Sequence, residues 1–128
     1  MWGRLLAIDP DLFASYGLLI GASPEFLAAL DDDTMTMLRT MRPAPGTAAQ
    51  IGLDLRVDIR GELPMITAPT LVIGCTQDHL VPVRHARSMH EAIPGSRYVE
   101  IDSGHVVFAE QPDTVAAAIE DFLYNEPH

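Results

Sequence analysis

The chain has 128 residues, 48% of them hydrophobic, which suits one packed domain and argues against a disordered protein. Its formal net charge of −10 argues against nucleic acid and against anionic membrane surfaces as partners, because both are bound through lysine and arginine. One cysteine, Cys75, excludes an internal disulfide, and no apolar run suits a membrane span or a signal peptide, so a cytoplasmic location is expected.

The N-terminal part of the chain is predicted to contain the end of a helix, a break and a buried strand. Residues 2–8 are the helix end, and the Asp-Pro-Asp at 9–11 breaks it, because proline does not continue a helix. Residues 16–21 form a short apolar run, which favours a buried strand. The Ser-Pro-Glu at 23–25 then indicates a helix start with serine as its N-cap.

The middle of the chain has a helical pattern with two interruptions. Apolar residues recur at helical spacing over 25–42, and three aspartates at 31–33 divide the pattern, so two helices are expected, with the acids as a solvated capping run. The Pro-Ala-Pro-Gly at 43–46 is a break. Residues 47–63 are weakly patterned and are expected to be helical or irregular.

The C-terminal half alternates between strand and helix patterns. The run at 70–74 is continuously apolar and predicts a central parallel strand covered on both faces. A helix over 83–93 precedes an edge-like strand over 97–101, and Pro112 opens a last helix. This order predicts an α/β protein with parallel strands and right-handed crossovers.

Two polar loops follow these two strands. Asp78 lies in the first loop and His105 in the second. Ligands bind at the carboxyl ends of strands in open α/β sheets, and a carboxylate beside an imidazole fixes its tautomer and stabilises its protonated form. Taken alone, each residue would be an ordinary loop residue, so the interpretation depends on the pattern around them.

That pattern resembles the C-terminal half of the α/β-hydrolase superfamily. The segment 69–74, Asp78 and the Val-Pro at 81–82 are similar to its acid-bearing loop. The histidine loop and last helix of the superfamily are matched by Ile93-Pro94-Gly95, Ile101, Gly104-His105, Glu110, Pro112 and Phe122-Leu123. These motifs cover about residues 58–124. Upstream, 5–13 and 18–21 look like the end of the helix after the nucleophile and the next strand.

The resemblance implies a partial α/β-hydrolase fold, with about three mostly parallel strands, flanking helices and a small helical cap. Residues 1–128 would form a single partial domain, with 24–60 as the cap-like segment and 61–124 as the acid- and histidine-bearing part. In the intact enzyme a serine would attack a small-molecule acyl substrate such as an ester, thioester or lactone, with His105 as general base and Asp78 orienting it. No cofactor is implied. An acyltransferase or perhydrolase branch of the superfamily is an alternative.

The nucleophile that this chemistry needs is not evident. The superfamily places it in a G-x-S-x-G elbow, and the sequence contains no such motif. Ser23 has the right order relative to Asp78 and His105, but Pro24 has no N–H to donate to an oxyanion, and Glu25 is too large for the tight turn. The elbow and the oxyanion donors are therefore expected before residue 1, and the chain is expected to be inactive alone.

Other interpretations stay open for the whole chain. It is either part of such an enzyme, or a non-catalytic half-domain that oligomerises, or one that complements a partner chain. An open edge on the strand at 16–21 would favour pairing with a second copy or with that partner. No metal site is expected, because the spacing of His79, His85 and His90 does not match helical zinc ligands.

Overall fold

The computed structural model describes residues 2–125. Helices come first, followed by two strands that alternate with helices. The helices of the first part are Trp2–Ile8 (α1), Pro10–Gly21 (α2), Pro24–Ala29 (α3), Asp32–Thr40 (α4) and Thr47–Asp54 (α5). After a short 3₁₀ turn at Leu63–Met65 come Leu71–Cys75 (β1), Arg84–Ala92 (α6), Arg97–Ile101 (β2), Val107–Glu110 (α7) and Pro112–Tyr124 (α8).

The two strands form one parallel sheet. Leu71 of β1 lies opposite Arg97 of β2, and Cys75 lies opposite Ile101. Helix α6 makes the crossover between the strands, as parallel pairing requires. The predicted α/β class, the parallel strands and the helices near 83–93 and after Pro112 are therefore confirmed. The sheet of the described residues has two strands, not about three.

Apolar clusters cover both faces of this sheet. On one face Val72 packs with Leu63 and Ile93, next to α6. On the other face Ile101 packs with Val107 and Val115, which belong to α7 and α8. This double coverage explains why β1 has a continuous apolar sequence.

The helices of the first part pack mainly on one another. Helix α2 contacts α1 and α4, and α1 also contacts α5. Side-chain caps start α3 and α4: the N–H of Phe26 donates to Ser23 Oγ at 3.2 Å, and the N–H of Thr34 donates to Asp31 Oδ1 at 2.7 Å. The predicted N-cap at Ser23 and the division of 25–42 into two helices are confirmed. We call α1–α5 the helical layer.

The strand predicted at 16–21 is wrong, because these residues form the C-terminal half of α2. Asp9 is the N-cap of α2 and accepts the N–H of Leu12 at 2.9 Å, while Pro10 occupies the first turn. The signal that ends α1 therefore also starts α2. The corresponding expectation of an open strand edge at 16–21 is wrong for the same reason.

None of the helices within residues 2–125 combines the length and the apolar character needed to cross a lipid bilayer.

Candidate active site

Asp78 organises the loop after β1 around its own carboxylate. Its Oδ1 accepts the backbone N–H groups of Leu80 and Val81, each at 2.8 Å. The side chain is 7% exposed, so these bonds compensate for the loss of water around a charged group. This turn fixes the carboxylate and leaves its second oxygen, Oδ2, for another donor.

That donor is the imidazole of His105, on the loop after β2. Its Nδ1 lies 2.9 Å from Asp78 Oδ2. An ionised carboxylate only accepts hydrogen bonds, so Nδ1 carries a proton in this pair, and in the neutral ring Nε2 is left as the base. The histidine side chain is 45% exposed, which leaves the ring accessible while the acid is buried.

Further hydrogen bonds join the two loops. The N–H of Gln77 donates to the carbonyl of Ser103 at 3.0 Å. Asp102 accepts the Thr76 hydroxyl at 2.6 Å and the Gln77 side-chain amide at 2.9 Å. The bond from Thr76, and then the one from Gln77, lower the pKa of Asp102. The strand ends are thus held together by more than sheet pairing.

The histidine loop also rests on the corner between α2 and α3. A Cβ at Gly104 would lie 2.7 Å from the carbonyl oxygen of Gly21 and 2.7 Å from the nitrogen of Ser23, so only glycine fits there. The N–H of Val106 donates to the Gly21 carbonyl at 3.2 Å. The carboxylate of Glu110 accepts the N–H groups of Ser23 and Gly104 at 3.0 and 3.1 Å.

His105 borders a cavity of about 730 Å³ between the helical layer and the two loops that follow β1 and β2. The wall is largely apolar and includes residues from α2, α5 and the Asp78 loop. The apolar lining residues are Phe13, Ile51, Leu55, Leu80 and Val81, and Gln50 and Asp54 add a polar side. A cavity of this kind accommodates a small molecule with the imidazole at its edge.

The structure brings together the two site residues predicted from the sequence, and their catalytic role stays a prediction. Within residues 2–125, neither a hydroxyl nor the Cys75 thiol is hydrogen-bonded to His105 Nε2. Ser23 Oγ instead caps α3. Burial raises the pKa of the Cys75 thiol, followed by the effect of the nearby Asp78 charge, so the thiolate is disfavoured. No group of three metal-ligating side chains occurs in the same part of the chain.

Two residues of the site were missed as functional candidates. Glu110 entered the sequence interpretation only as part of the family-like pattern, and Asp102 was not singled out. Both are acids next to a strand end or the histidine loop. Their position near the site was the available signal in the sequence. Their partners Ser23, Thr76 and Gln77 lie in other segments and could not be predicted from it.

Known proteins resemble this chain both in sequence and in fold. A model of the alpha/beta hydrolase family matches residues 1–118. The pyrrolizixenacetamide deacetylase of Xenorhabdus hominickii is 32% identical over 98% of this chain and 49% of its own length. The enol-lactonase of Burkholderia xenovorans has 25% identity and a TM-score of 0.84, covering 95% of this chain and 48% of that one.

A thermophilic esterase from Thermogutta terrifontis has 28% identity and a TM-score of 0.78, covering 97% of this chain and 47% of that one. The chain therefore spans about half the length of these three relatives. Since the family model and the 32% identical relative both extend over most of its residues, the chain belongs to the alpha/beta hydrolase family.

Proposed function

We propose that this chain supplies the acid and the general base of a serine hydrolase, with Asp78 as the acid and His105 as the base. The observation that carries the proposal is the 2.9 Å bond between His105 Nδ1 and Asp78 Oδ2, with the other oxygen of Asp78 engaged by its own loop. A carboxylate restrained on one side and bonded to an imidazole on the other holds that ring in one tautomer.

In the proposed reaction, Nε2 of His105 takes the proton of a serine hydroxyl as its oxygen attacks an acyl carbon. The imidazolium is stabilised by Asp78 and returns the proton to the leaving group. A water molecule then hydrolyses the acyl-enzyme by the same exchange, which restores the serine. The named relatives are a deacetylase, an enol-lactonase and an esterase, which supports an ester, lactone or related acyl bond as the target.

The serine and the oxyanion donors are proposed to come from polypeptide outside these 128 residues, so that the chain is inactive alone. Two observations support this. The sequence has no G-x-S-x-G elbow, and the chain spans about half of the named deacetylase and of the named enol-lactonase. The elbow holds both the nucleophile and a backbone N–H of the oxyanion hole, so both would be supplied together.

The test is labelling with a fluorophosphonate, which reacts with an activated serine. We expect no label on this chain alone. We expect a label on a chimera in which the part of the Xenorhabdus deacetylase that the chain does not match is joined to it, and loss of that label in His105→Ala. A labelled serine within the 128 residues, or a chimera labelled equally well without His105, would contradict the proposal.

A second candidate function is assembly without catalysis, which the exposed edge of β1 favours. Within residues 2–125, β2 is the only strand paired with β1, and a groove of about 410 Å³ follows β1 between α6 and α7. The occupant we propose is the remaining part of the hydrolase fold, because the Xenorhabdus deacetylase and the Burkholderia enol-lactonase each have about as much chain again. A strand added there would pair the free backbone groups of β1. The chimera distinguishes the two candidate functions. A chimera that folds but is not labelled by the fluorophosphonate would favour assembly without catalysis.

A further inference from the structure

Glu110 connects two segments that are far apart in sequence. Its Oε1 accepts the N–H of Ser23 at 3.0 Å, across 87 positions of the chain, and its Oε2 accepts the N–H of Gly104 at 3.1 Å. Ser23 is 4% exposed, so its N–H has little access to water. Each oxygen of the carboxylate therefore has its own backbone donor.

These contacts fix the backbone on both sides of His105. On the N-terminal side, Gly104 is held by Glu110 and lies too close to residues 21–23 for any Cβ to fit. On the C-terminal side, the N–H of Val106 is bonded to the carbonyl of Gly21 at 3.2 Å. The histidine thus projects from a segment docked on the corner between α2 and α3.

We propose that Glu110 is a positioning residue, which clamps the histidine loop to the α2–α3 corner and so aims the imidazole of His105 at Asp78. The inference rests on the proposed role of His105. The carboxylate of Glu110 bonds to the backbone N–H groups of Ser23 and Gly104 and interacts with the hydroxyls of Ser23 and Ser103, and no hydrogen bond joins it to the imidazole. Its effect on the reaction therefore passes through the histidine. The helical layer, which also lines the cavity, is thereby connected to the base.

Glutamate has the length and the two acceptor oxygens that the N–H groups of Ser23 and Gly104 require. Glutamine keeps one acceptor oxygen but turns an NH₂ group toward the second N–H, where two donors oppose each other. Aspartate keeps the charge but is one methylene shorter, so it does not span both segments. A purely electrostatic role would tolerate aspartate, whereas a clamp would not.

The test is the tautomer of His105 in the 128-residue chain, read from long-range ¹H–¹⁵N correlations of the ring at mildly alkaline pH, where the same correlations report whether the ring is neutral. In the wild type we expect the Nδ1-protonated form, set by Asp78. In Glu110→Gln and Glu110→Asp we expect the ring nitrogen shifts to move toward a mixture of tautomers. Glu120→Gln, which removes an exposed carboxylate of α8, is the matched control and should not move them.

Amide signals of β1 and β2 show in the same samples whether the domain is folded. Unchanged His105 shifts in both Glu110 variants would overturn the proposal, and so would a full return of the wild-type shifts in Glu110→Asp. Loss of the strand signals in both variants would also overturn it, since Glu110 would then hold the whole domain. The NMR measurement needs no nucleophile. It therefore tests the position of the His105 ring even if the chimera of the labelling experiment is inactive.

Discussion

The two carboxylate oxygens of Asp78 have different hydrogen-bond partners, and one substitution separates their effects. In Asp78→Asn the side-chain oxygen still accepts the N–H groups of Leu80 and Val81, so the loop is retained. The new NH₂ group faces His105 Nδ1 and favours the wrong tautomer. We expect a fall in kcat of up to about 10⁴-fold in the chimera, with an unchanged melting temperature.

Steady-state hydrolysis of a small ester measures this effect. Asp113→Asn is the control, because it removes an exposed carboxylate of α8 and should leave kcat unchanged. A rate for Asp78→Asn within a few-fold of the wild type would remove Asp78 from the mechanism.

The ionisation of Glu110 predicts how stability depends on pH. Burial raises the pKa of Glu110, but the hydrogen bonds from Ser23 and Gly104 outweigh this effect and leave the pKa below its usual value of 4.5. A carboxyl whose pKa is lower in the folded state stabilises that state above pH 4.5, and this contribution disappears as the pH falls through the folded pKa.

We therefore expect Glu110→Gln to lower the free energy of unfolding by about 1–2 kcal/mol at neutral pH, with the difference shrinking in acid. Urea unfolding of both proteins between pH 7 and pH 3 measures it. A difference that is constant over the whole range would mean that the charge of Glu110 does not contribute.

At the residue scale, the sequence identified the members of the pair but not what holds them. Asp78 and His105 stand out because each follows a predicted parallel strand, and parallel strands end at one edge of a sheet. Glu110 acts on backbone donors at Ser23 and Gly104, which have no side-chain signal in a single sequence. A backbone partner in a distant segment is defined only by the fold.

At the element scale, two glycines of the site region differ in the space around them. A Cβ at Gly17, in the middle of α2, meets nothing within 4 Å, whereas one at Gly104 meets three backbone atoms below 3.0 Å. We expect Gly17→Ala to stabilise the protein by about 0.5–1 kcal/mol, because alanine loses less backbone entropy in a helix. We expect Gly104→Ala to destabilise it by about 1–3 kcal/mol, because the loop must move away from the corner.

Chemical denaturation of the two variants beside the wild type tests both signs at once. If Gly104→Ala were as stable as the wild type, the close docking of the histidine loop on residues 21–23 would be wrong. Gly17→Ala serves as its internal control for the effect of adding a methyl group.

The misinterpreted element is α2, and the reason lies in its packing. Short apolar runs do not distinguish a buried strand from a helix that is covered on more than one side. Helix α2 contacts α1 and α4 and lines the cavity, and its exposed side carries Leu19, which is apolar although it is 62% exposed, so residues 16–21 show no polar face. The capping signal at Asp9 and Pro10 has the same form as that at Ser23 and Pro24, and it correctly indicates a helix start at both places.

At the scale of the whole molecule, the two sheet edges differ in protection. In β2, Arg97 forms an ion pair with Asp121, and Glu100 forms one with Arg87. Charged side chains on an edge strand discourage pairing with a further strand. Strand β1 is uncharged along its length, and the groove beside it includes Phe108, which is 72% exposed. The sequence predicted an open edge in this protein but placed it on a segment that is helical.

The unprotected edge of β1 predicts how the isolated chain behaves in solution. Without the remaining part of the hydrolase fold, we expect a second copy of the chain to cover the edge and the groove, because unpaired strand groups and exposed aromatic surface both favour association. Phe108→Lys places a charge in the groove at little cost to folding, since the side chain is exposed. We expect it to weaken self-association about tenfold or more.

Light scattering across a concentration series measures the association. Tyr124→Lys is the matched control, because it makes the same change at an aromatic residue that is 79% exposed at the end of α8 and does not line the groove. A difference between the two variants would assign the association to the β1 groove and not to the change in net charge. A wild-type chain that stays monomeric at all concentrations would instead mean that β1 tolerates an open edge, and the case for assembly through it would fail.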